Sequence, residues 1–137
     1  MPGKTFIDSN VLAYAQDKAY RDKQKKSRKL IAELAASGEG VISTQVMQEF
    51  YLAATRKLGV EPLAVKGILK TFSVFEIVQV TPALIQEAVD CSILNTTSFW
   101  DALVLAAASA AGCTTVFTED MNSGQRILGV KVQNPFS

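Results

Sequence analysis

Four carboxylates interrupt apolar stretches of the chain, and chemistry that could use them is limited by what the chain lacks. They are Asp8, Glu49, Asp101 and Asp120. The 137 residues include no histidine, which excludes imidazole acid–base catalysis, histidine-activated nucleophiles and histidine metal ligands. Hydrolysis would therefore have to rely on carboxylates, most simply through a hard cation such as Mg²⁺ or Mn²⁺.

Each carboxylate also has an ordinary structural explanation when it is considered alone. Asp8 suits the N-cap of a helix, and Ser98 with Asp101 has the spacing of a capping box. Glu49 could lie on a solvated helix face, and Asp120 could be a turn residue. One shared crevice explains all four positions together, but unit charges ~4 Å apart repel by about 4 kcal/mol at an effective dielectric near 20. A divalent cation would remove that repulsion, activate water and neutralise charge on a phosphodiester, as in an acidic nuclease.

The elements that must position these side chains alternate between strands and helices. We predict strands at 5–7, 41–43, 75–80, 114–117 and 129–132. We predict helices at 11–14, 23–36, 62–72, 82–94 and 99–111, and one more between a Thr44 cap and Gly59. With no hairpin signals, this order predicts an α/β fold with a parallel five-stranded sheet and helices on both faces. Asp8 and Asp120 then follow strands, at the edge where such sheets bind ligands.

The helix from Phe99 to Ala111 has no polar face, so we expect it to be central and buried. A lone carboxylate there, Asp101, is expensive unless it is paired or bound to a cation.

Composition favours one folded domain over residues 1–137. Hydrophobic residues make up 48% and charged residues 20% of the chain, which is typical of a filled core rather than of disorder. No apolar run reaches the ~20 residues of a membrane span, and none has the form of a secretory signal. Cys91 and Cys113 lack zinc spacing, so we expect buried thiols in a reducing cytoplasm.

Basic residues are concentrated in one segment. Half of the 14 lysines and arginines lie between Lys18 and Lys29, which indicates either a solvated helix face or a surface for phosphates or an acidic partner. RNA contacts near an acidic centre would require cations. The candidates that lie near the proposed site in the sequence are Lys4, Arg56, Lys57 and Arg126.

Five segments of the chain resemble the PIN domain family and, within it, the VapC-like ribonuclease toxins of prokaryotic toxin–antitoxin pairs. They are Phe6–Leu12, Ser43–Phe50, Ser98–Leu103, Thr118–Asp120 and Gly124–Phe136. They occur in the family's order and span nearly the whole chain. One departure is the loop 121–123, where relatives often carry another polar or basic residue.

The resemblance implies that the four carboxylates are the family's acidic quartet, with Asn10 and Thr118 as supporting polar residues. It implies Mg²⁺- or Mn²⁺-dependent cleavage of RNA that leaves 5′-phosphate and 3′-hydroxyl ends, a homodimer, and a small antitoxin whose C-terminal segment fills the groove. In this hypothesis Asp8 and Asp101 hold the main ion. Glu49 orients the attacking water, and Asp120 assists a second ion. Glu119 either joins the metal shell or faces solvent.

Three other interpretations remain open. Asp8 could be the strand-end nucleophile of a haloacid-dehalogenase-like phosphatase, but such enzymes need a second aspartate where this chain has Asn10. The chain could be an inactive domain of the same fold that binds RNA or serves as a scaffold. A nucleotide-binding Rossmann domain is disfavoured because the first strand is not followed by G-x-G-x-x-G.

Overall fold

The strands form one sheet in a computed structural model that describes residues 3–137. They are β1 (Thr5–Ile7), β2 (Gly40–Ser43), β3 (Glu76–Val78), β4 (Thr115–Phe117), β5 (Arg126–Ile127) and β6 (Val130–Gln133). Their order across the sheet is β3-β2-β1-β4-β6-β5. All neighbouring pairs are parallel except β5 and β6, which are antiparallel. The predicted α/β fold is confirmed, and the five parallel strands predicted for it correspond to β3, β2, β1, β4 and β6.

Six α-helices accompany the sheet within these residues. They are α1 (Ser9–Tyr14), α2 (Arg21–Ser37), α3 (Thr44–Leu52), α4 (Pro62–Thr71), α5 (Pro82–Asn95) and α6 (Phe99–Ala110). A π-helical turn, Ala53–Lys57, extends α3, and a 3₁₀ turn, Phe72–Val74, extends α4. Every residue of β1 and β2 is buried. Because successive strand side chains point to opposite faces, both faces of the sheet are covered, as predicted.

The sheet has a sixth strand that the sequence pattern did not predict. β5 and β6 form a hairpin whose two turn residues, Leu128 and Gly129, have positive φ angles of 53° and 78°. Two positive φ values are typical of a type I′ turn, which usually carries Asn-Gly or Asp-Gly. Leucine at the first position concealed this signal, so the expectation of no hairpin was wrong.

The helix starts explain how side chains reach the carboxyl edge of the sheet. Asp8 is the N-cap of α1, which therefore begins at Ser9 rather than at 11. Ser43, not Thr44, caps α3, because its hydroxyl accepts a hydrogen bond from the Val46 N–H. Thr44 instead accepts a hydrogen bond from the Val80 N–H. These caps start α1 and α3 directly at the ends of β1 and β2.

The sixth helix is the central element that its composition predicts, apart from its first turn. Residues 102–108 of α6 are all buried, and the helix packs against α5 and against β2, β4 and β6. Trp100 in the first turn is 61% exposed, so the expectation of a helix buried on all sides was wrong there. Cys91 and Cys113 are buried free thiols, as expected.

Among the helices in residues 3–137, none is long and apolar enough to cross a membrane alone. Only α5 and α6 together reach that length and composition, and they meet at a bend of 116°.

Candidate active site

The four predicted carboxylates all lie on elements that start or end at the carboxyl edge of the sheet. β1 and β4 are in parallel register, with Ile7 opposite Phe117, so the residues that follow the two strands, Asp8 and Thr118, are neighbours. Asp120 follows two residues later. Glu49 lies in the second turn of α3, and Asp101 lies in the first turn of α6.

Asp8 and Asp120 are joined through two polar side chains. The Thr118 hydroxyl donates to Oδ2 of Asp8 at 2.8 Å. The Asn10 side-chain amide donates to Oδ2 of Asp120 at 3.1 Å and lies 3.4 Å from Oδ2 of Asp8. It also donates to the Thr118 hydroxyl, which accepts the Asp120 N–H in addition. The two supporting residues predicted from the sequence therefore stand between two of the predicted acids.

Asp8 is a buried carboxylate beside other anions. Its side chain is 5% exposed, and its Oδ1 accepts the Ser9 N–H at 2.8 Å. Burial raises the pKa of Asp8 to about 6, the hydrogen bonds from Thr118 and Ser9 oppose that rise, and the charges of Glu49 and Asp120 add to it. An ionised Asp8 is therefore unfavourable in this position without a compensating cation.

Glu49 is fixed by two hydrogen bonds from uncharged side chains. The Ser9 hydroxyl donates to its Oε1 at 3.1 Å, and the Gln45 amide donates to its Oε2 at 3.3 Å. The same Gln45 amide donates to the carbonyl oxygen of Trp100, the residue before Asp101. Gln45 was not predicted as a site residue, although its spacing of four residues from Glu49 places both on one helix face.

Asp101 is less enclosed than Asp8. Its backbone N–H donates to the Ser98 hydroxyl at 3.1 Å, so the capping interaction is present. The carboxylate is half-buried. Burial raises its pKa, Ser98 opposes the rise, and the charge of Asp120 contributes further to it. Asp101 and Asp120 also line one pocket. The four carboxylates are therefore connected in a ring through the hydrogen-bonded residues described above and through the pocket that Asp101 and Asp120 share. We call Glu49, Asp8, Asp120 and Asp101 the carboxylate circuit.

The Glu119 carboxylate is partly exposed and binds side chains outside this circuit. Its carboxylate pairs with the Lys23 ammonium and accepts a hydrogen bond from the Tyr14 hydroxyl at 2.6 Å. Burial alone would raise the pKa of Glu119, but the bonds from Lys23 and Tyr14 lower it overall. Its backbone N–H donates to Oδ1 of Asn10 at 3.1 Å, which orients the Asn10 amide.

Lys23 lies among aromatic rings, an arrangement that the sequence analysis did not identify. Its ammonium is 4.8 Å from the ring centre of Tyr14, 5.5 Å from that of Tyr20 and 5.6 Å from that of Phe136. We call Lys23, Tyr14 and Glu119 the Lys23 clamp. Through the Glu119 backbone it supports Asn10, and hence the pair of Asp8 and Asp120.

The part of the chain that matches a known protein family includes all four carboxylates. The model of the PIN domain family matches residues 5–124. The chain belongs to the PIN domain family.

Solved structures with this PIN fold include VapC toxins. VapC20 from Mycobacterium tuberculosis, described as a toxin that cleaves the sarcin–ricin loop, is 21% identical with a TM-score of 0.68, over 85% of this chain and 92% of its own. A toxin–antitoxin complex from Klebsiella pneumoniae is 16% identical with a TM-score of 0.71, over 96% of this chain and 98% of its own. DNA-bound VapBC from Salmonella typhimurium is 15% identical with a TM-score of 0.70, over 97% of this chain and 98% of its own. Comparison with curated protein sequences finds no match.

The family resemblance is thus confirmed, and the likeness to VapC toxins holds at the level of the fold. The predicted roles of individual residues remain proposals.

Most of the proposed RNA-binding cations of this PIN domain lie away from the carboxylates. Lys4 pairs with Glu76 and donates to the Ala111 carbonyl, at the amino ends of β1 and β3. Arg56 and Lys57 are exposed in the π-helical turn, about 10 Å beyond Glu49 along the helix axis. Arg126 is exposed and follows Gln125, which lines the pocket shared by Asp101 and Asp120.

The donor set of the PIN domain fits a weakly caged hard cation rather than a closed metal site. Within residues 3–137, no three acidic or cysteine side chains are close enough together to enclose an ion. Mg²⁺ commonly takes one or two protein carboxylates and keeps several waters. Asp8 and Asp120 offer carboxylate oxygens on either side of Asn10, and the burial of Asp8 makes a cation favourable there.

Proposed function

We propose that this PIN domain is a Mg²⁺- or Mn²⁺-dependent endoribonuclease and the toxin of a type II toxin–antitoxin pair. The observation that carries the proposal is the closed circuit of four carboxylates, one of which, Asp8, is buried. The fold's likeness to a toxin that cleaves the sarcin–ricin loop, and to toxin–antitoxin complexes, supports both parts.

The ion would be held directly by Asp8 and Asp120, with Asp101 reaching it through one of the waters that Mg²⁺ keeps. When bound, it would activate water and neutralise charge on the phosphodiester. Thr118 and Asn10 keep the Asp8 and Asp120 oxygens in place. Mutation of residues that orient metal ligands in this way commonly lowers metal affinity or activity by ~10–100-fold.

Glu49 is the candidate general base. Its two hydrogen bonds, from the Ser9 hydroxyl and the Gln45 amide, restrict the movement of the carboxylate and do not neutralise its charge. A carboxylate held in this way can orient an attacking water and accept its proton. Attack on phosphorus with departure of the 3′ oxygen would leave 5′-phosphate and 3′-hydroxyl ends.

The partners and location also belong to this proposal. They are an RNA substrate, a small antitoxin, a second copy of the chain in a homodimer, and the cytoplasm. The exposed lysines of α2, Lys25, Lys26 and Lys29, form a cationic surface that suits either RNA phosphates or an acidic antitoxin. Arg126 is the candidate RNA contact next to the site, and Arg56 and Lys57 are candidates further along α3.

The decisive test is metal-dependent cleavage of RNA by the wild-type chain and by Asp101→Asn. We expect cleavage with Mg²⁺ or Mn²⁺, none in chelator, and a loss of at least about 100-fold in the variant. Asp90→Asn, on an exposed face of α5, is the matched control and should cleave normally. Equal cleavage by Asp101→Asn would remove this residue from the site. RNA binding without cleavage at any ion concentration would instead support the inactive module.

A further inference from the structure

A small polar pocket adjoins the carboxylate circuit and is not used by the proposed cleavage chemistry. Its volume is about 150 Å³, and it lies between the α5–α6 loop, the start of α6 and the loop after β4. Asp101 and Asp120 form the wall that it shares with the circuit. The uncharged polar side chains that line it include Asn95, Thr97, Asn122 and Gln125. Leu105 and Ile127 supply apolar surface.

The lining decides which chemical groups could occupy this pocket. Among its lining residues, all of them in the described part of the chain, none is lysine or arginine, and two are aspartates. A phosphate group would therefore be repelled. The mixture of amides, hydroxyls and apolar surface suits a flat, uncharged ring with hydrogen-bond donors and acceptors at its edge.

Asn122 and Gln125 have free hydrogen-bonding capacity. Their side chains are exposed, and within residues 3–137 neither side-chain amide makes a hydrogen bond. A side-chain amide presents a donor beside an acceptor, and this pair can bind two neighbouring positions on the edge of a nucleobase. Unpaired RNA bases are commonly recognised through such edges.

The backbone at the rim of the pocket is strained. Thr96, the C-cap of α5, has φ 50° and ψ 47°, in the left-handed region. Glycine is the usual residue at such a helix end, and a β-branched residue there is an outlier. Strain of this kind is concentrated at functional sites, and here it fixes the turn that brings Asn95 and Thr97 to the pocket.

We propose that this pocket binds one unpaired nucleobase of the RNA next to the cleaved phosphodiester, and that Asn122 and Gln125 read its edge. The inference rests on the proposed function, because it takes RNA as the substrate. It adds a determinant of sequence preference at a position that the circuit itself does not supply.

The test compares the binding of rA6, rC6 and rU6 hexaribonucleotides by fluorescence anisotropy. Asp8→Asn protein with Mg²⁺ prevents cleavage during the measurement, and the wild-type chain in excess chelator provides a second, independent series. We expect dissociation constants that differ by more than about fivefold between bases, the lower end for one bidentate contact. In the Asn122→Ala, Gln125→Ala double variant the spread should fall below about twofold. Gln86→Ala, exposed on α5, should keep the full spread.

Three results would overturn the pocket proposal. They are a smaller spread of dissociation constants in the parent protein, a spread that the double variant keeps, and no binding to any hexamer. Parallel cleavage assays of the wild-type chain with Mg²⁺ separate this result from the proposed function. RNA cleavage without base-dependent binding overturns the pocket alone. Base-dependent binding without cleavage overturns the nuclease alone.

Discussion

The two halves of the carboxylate circuit are built differently. The strand half consists of Asp8, Asn10, Thr118 and Asp120, and its side chains bond directly to one another. The helix half consists of Glu49 and Asp101, whose positions depend on Ser9, Gln45 and the cap of α6. In the strand half Asp8 is buried and Asp120 is exposed, whereas in the helix half both Glu49 and Asp101 are half-buried.

This difference suggests a division of work. The strand half fixes anionic oxygens before any ligand arrives, and without a cation that arrangement is destabilising. Asp101 of the helix half borders the open pocket together with Asp120 of the strand half, whereas Glu49 is held by Ser9 and Gln45. Metal affinity should therefore depend mostly on the strand half, and the response to RNA sequence mostly on the pocket.

Asp8→Asn should give the largest change, in opposite directions for activity and stability. RNA cleavage should fall by at least about 100-fold. A pKa raised from 3.8 to about 6 corresponds to about 3 kcal/mol of lost stability when Asp8 is ionised. In chelator at pH 7.5, urea unfolding should therefore show the variant to be more stable, by up to that amount. A variant less stable than wild type would contradict the assigned cost of this anion.

The pH dependence of unfolding tests in which direction the charge of Asp8 changes stability. Because the pKa of Asp8 is higher in the folded chain than in the unfolded chain, the folded chain binds more protons between about pH 4 and 6. The contribution of Asp8 to stability is therefore present below pH 4 and lost as pH rises through 6. The difference in unfolding free energy between Asp8→Asn and wild type, in chelator, should grow across this window. A difference that does not change with pH would contradict the prediction.

Thr118→Val tests the strand half without removing a carboxylate. It deletes the 2.8 Å hydrogen bond to Asp8 and keeps the shape of the side chain. We expect the unfolding free energy to fall by about 1–3 kcal/mol, and Mn²⁺ affinity to fall by about 10-fold or more, in calorimetric titration. Thr115→Val, at the opposite end of β4 and away from the carboxylates, is the control. Unchanged Mn²⁺ affinity in Thr118→Val would separate this residue from the metal.

Ser98→Ala tests the helix half against a matched cap. Both Ser98 and Thr81 cap helices, through the N–H groups of Asp101 and Leu84. Replacing either residue by alanine should cost about 1 kcal/mol in thermal unfolding. Only Ser98→Ala should slow RNA cleavage, because only that cap holds Asp101. Equal cleavage rates for the two variants would show that the cap does not position Asp101.

The smallest effect is expected from the Lys23 clamp. Lys23→Met removes the ammonium from Glu119 and from its aromatic neighbours, and so loosens the support of Asn10 only indirectly. Mn²⁺ affinity should fall by less than about 10-fold. Lys26→Met, exposed on the same helix, is the control and should bind as wild type. A loss as large as that of Thr118→Val would mean that the clamp acts directly on the metal ligands.

Local sequence signals were enough to predict most of the strand half. The ends of β1 and β4, and the acids that follow them, are indicated by short apolar segments, whereas Asn10 and Thr118 were expected only from the resemblance to the PIN family. The Lys23 clamp could not be predicted, because it joins residues 96 positions apart and nothing in either segment indicates the other. The β5–β6 hairpin was hidden by Leu128, whose left-handed conformation is set by its tertiary surroundings rather than by its residue type.

The most direct test of the account is thermal unfolding of the wild-type chain and Asp8→Asn across a Mn²⁺ titration. An ion that binds the folded chain raises its stability by mass action, by about 2.7 kcal/mol at 100 times the dissociation constant. We predict a melting temperature that rises steadily with Mn²⁺ for the wild-type chain and stays nearly constant for Asp8→Asn. No rise in the wild-type chain, or an equal rise in both proteins, would contradict a cation site built around Asp8.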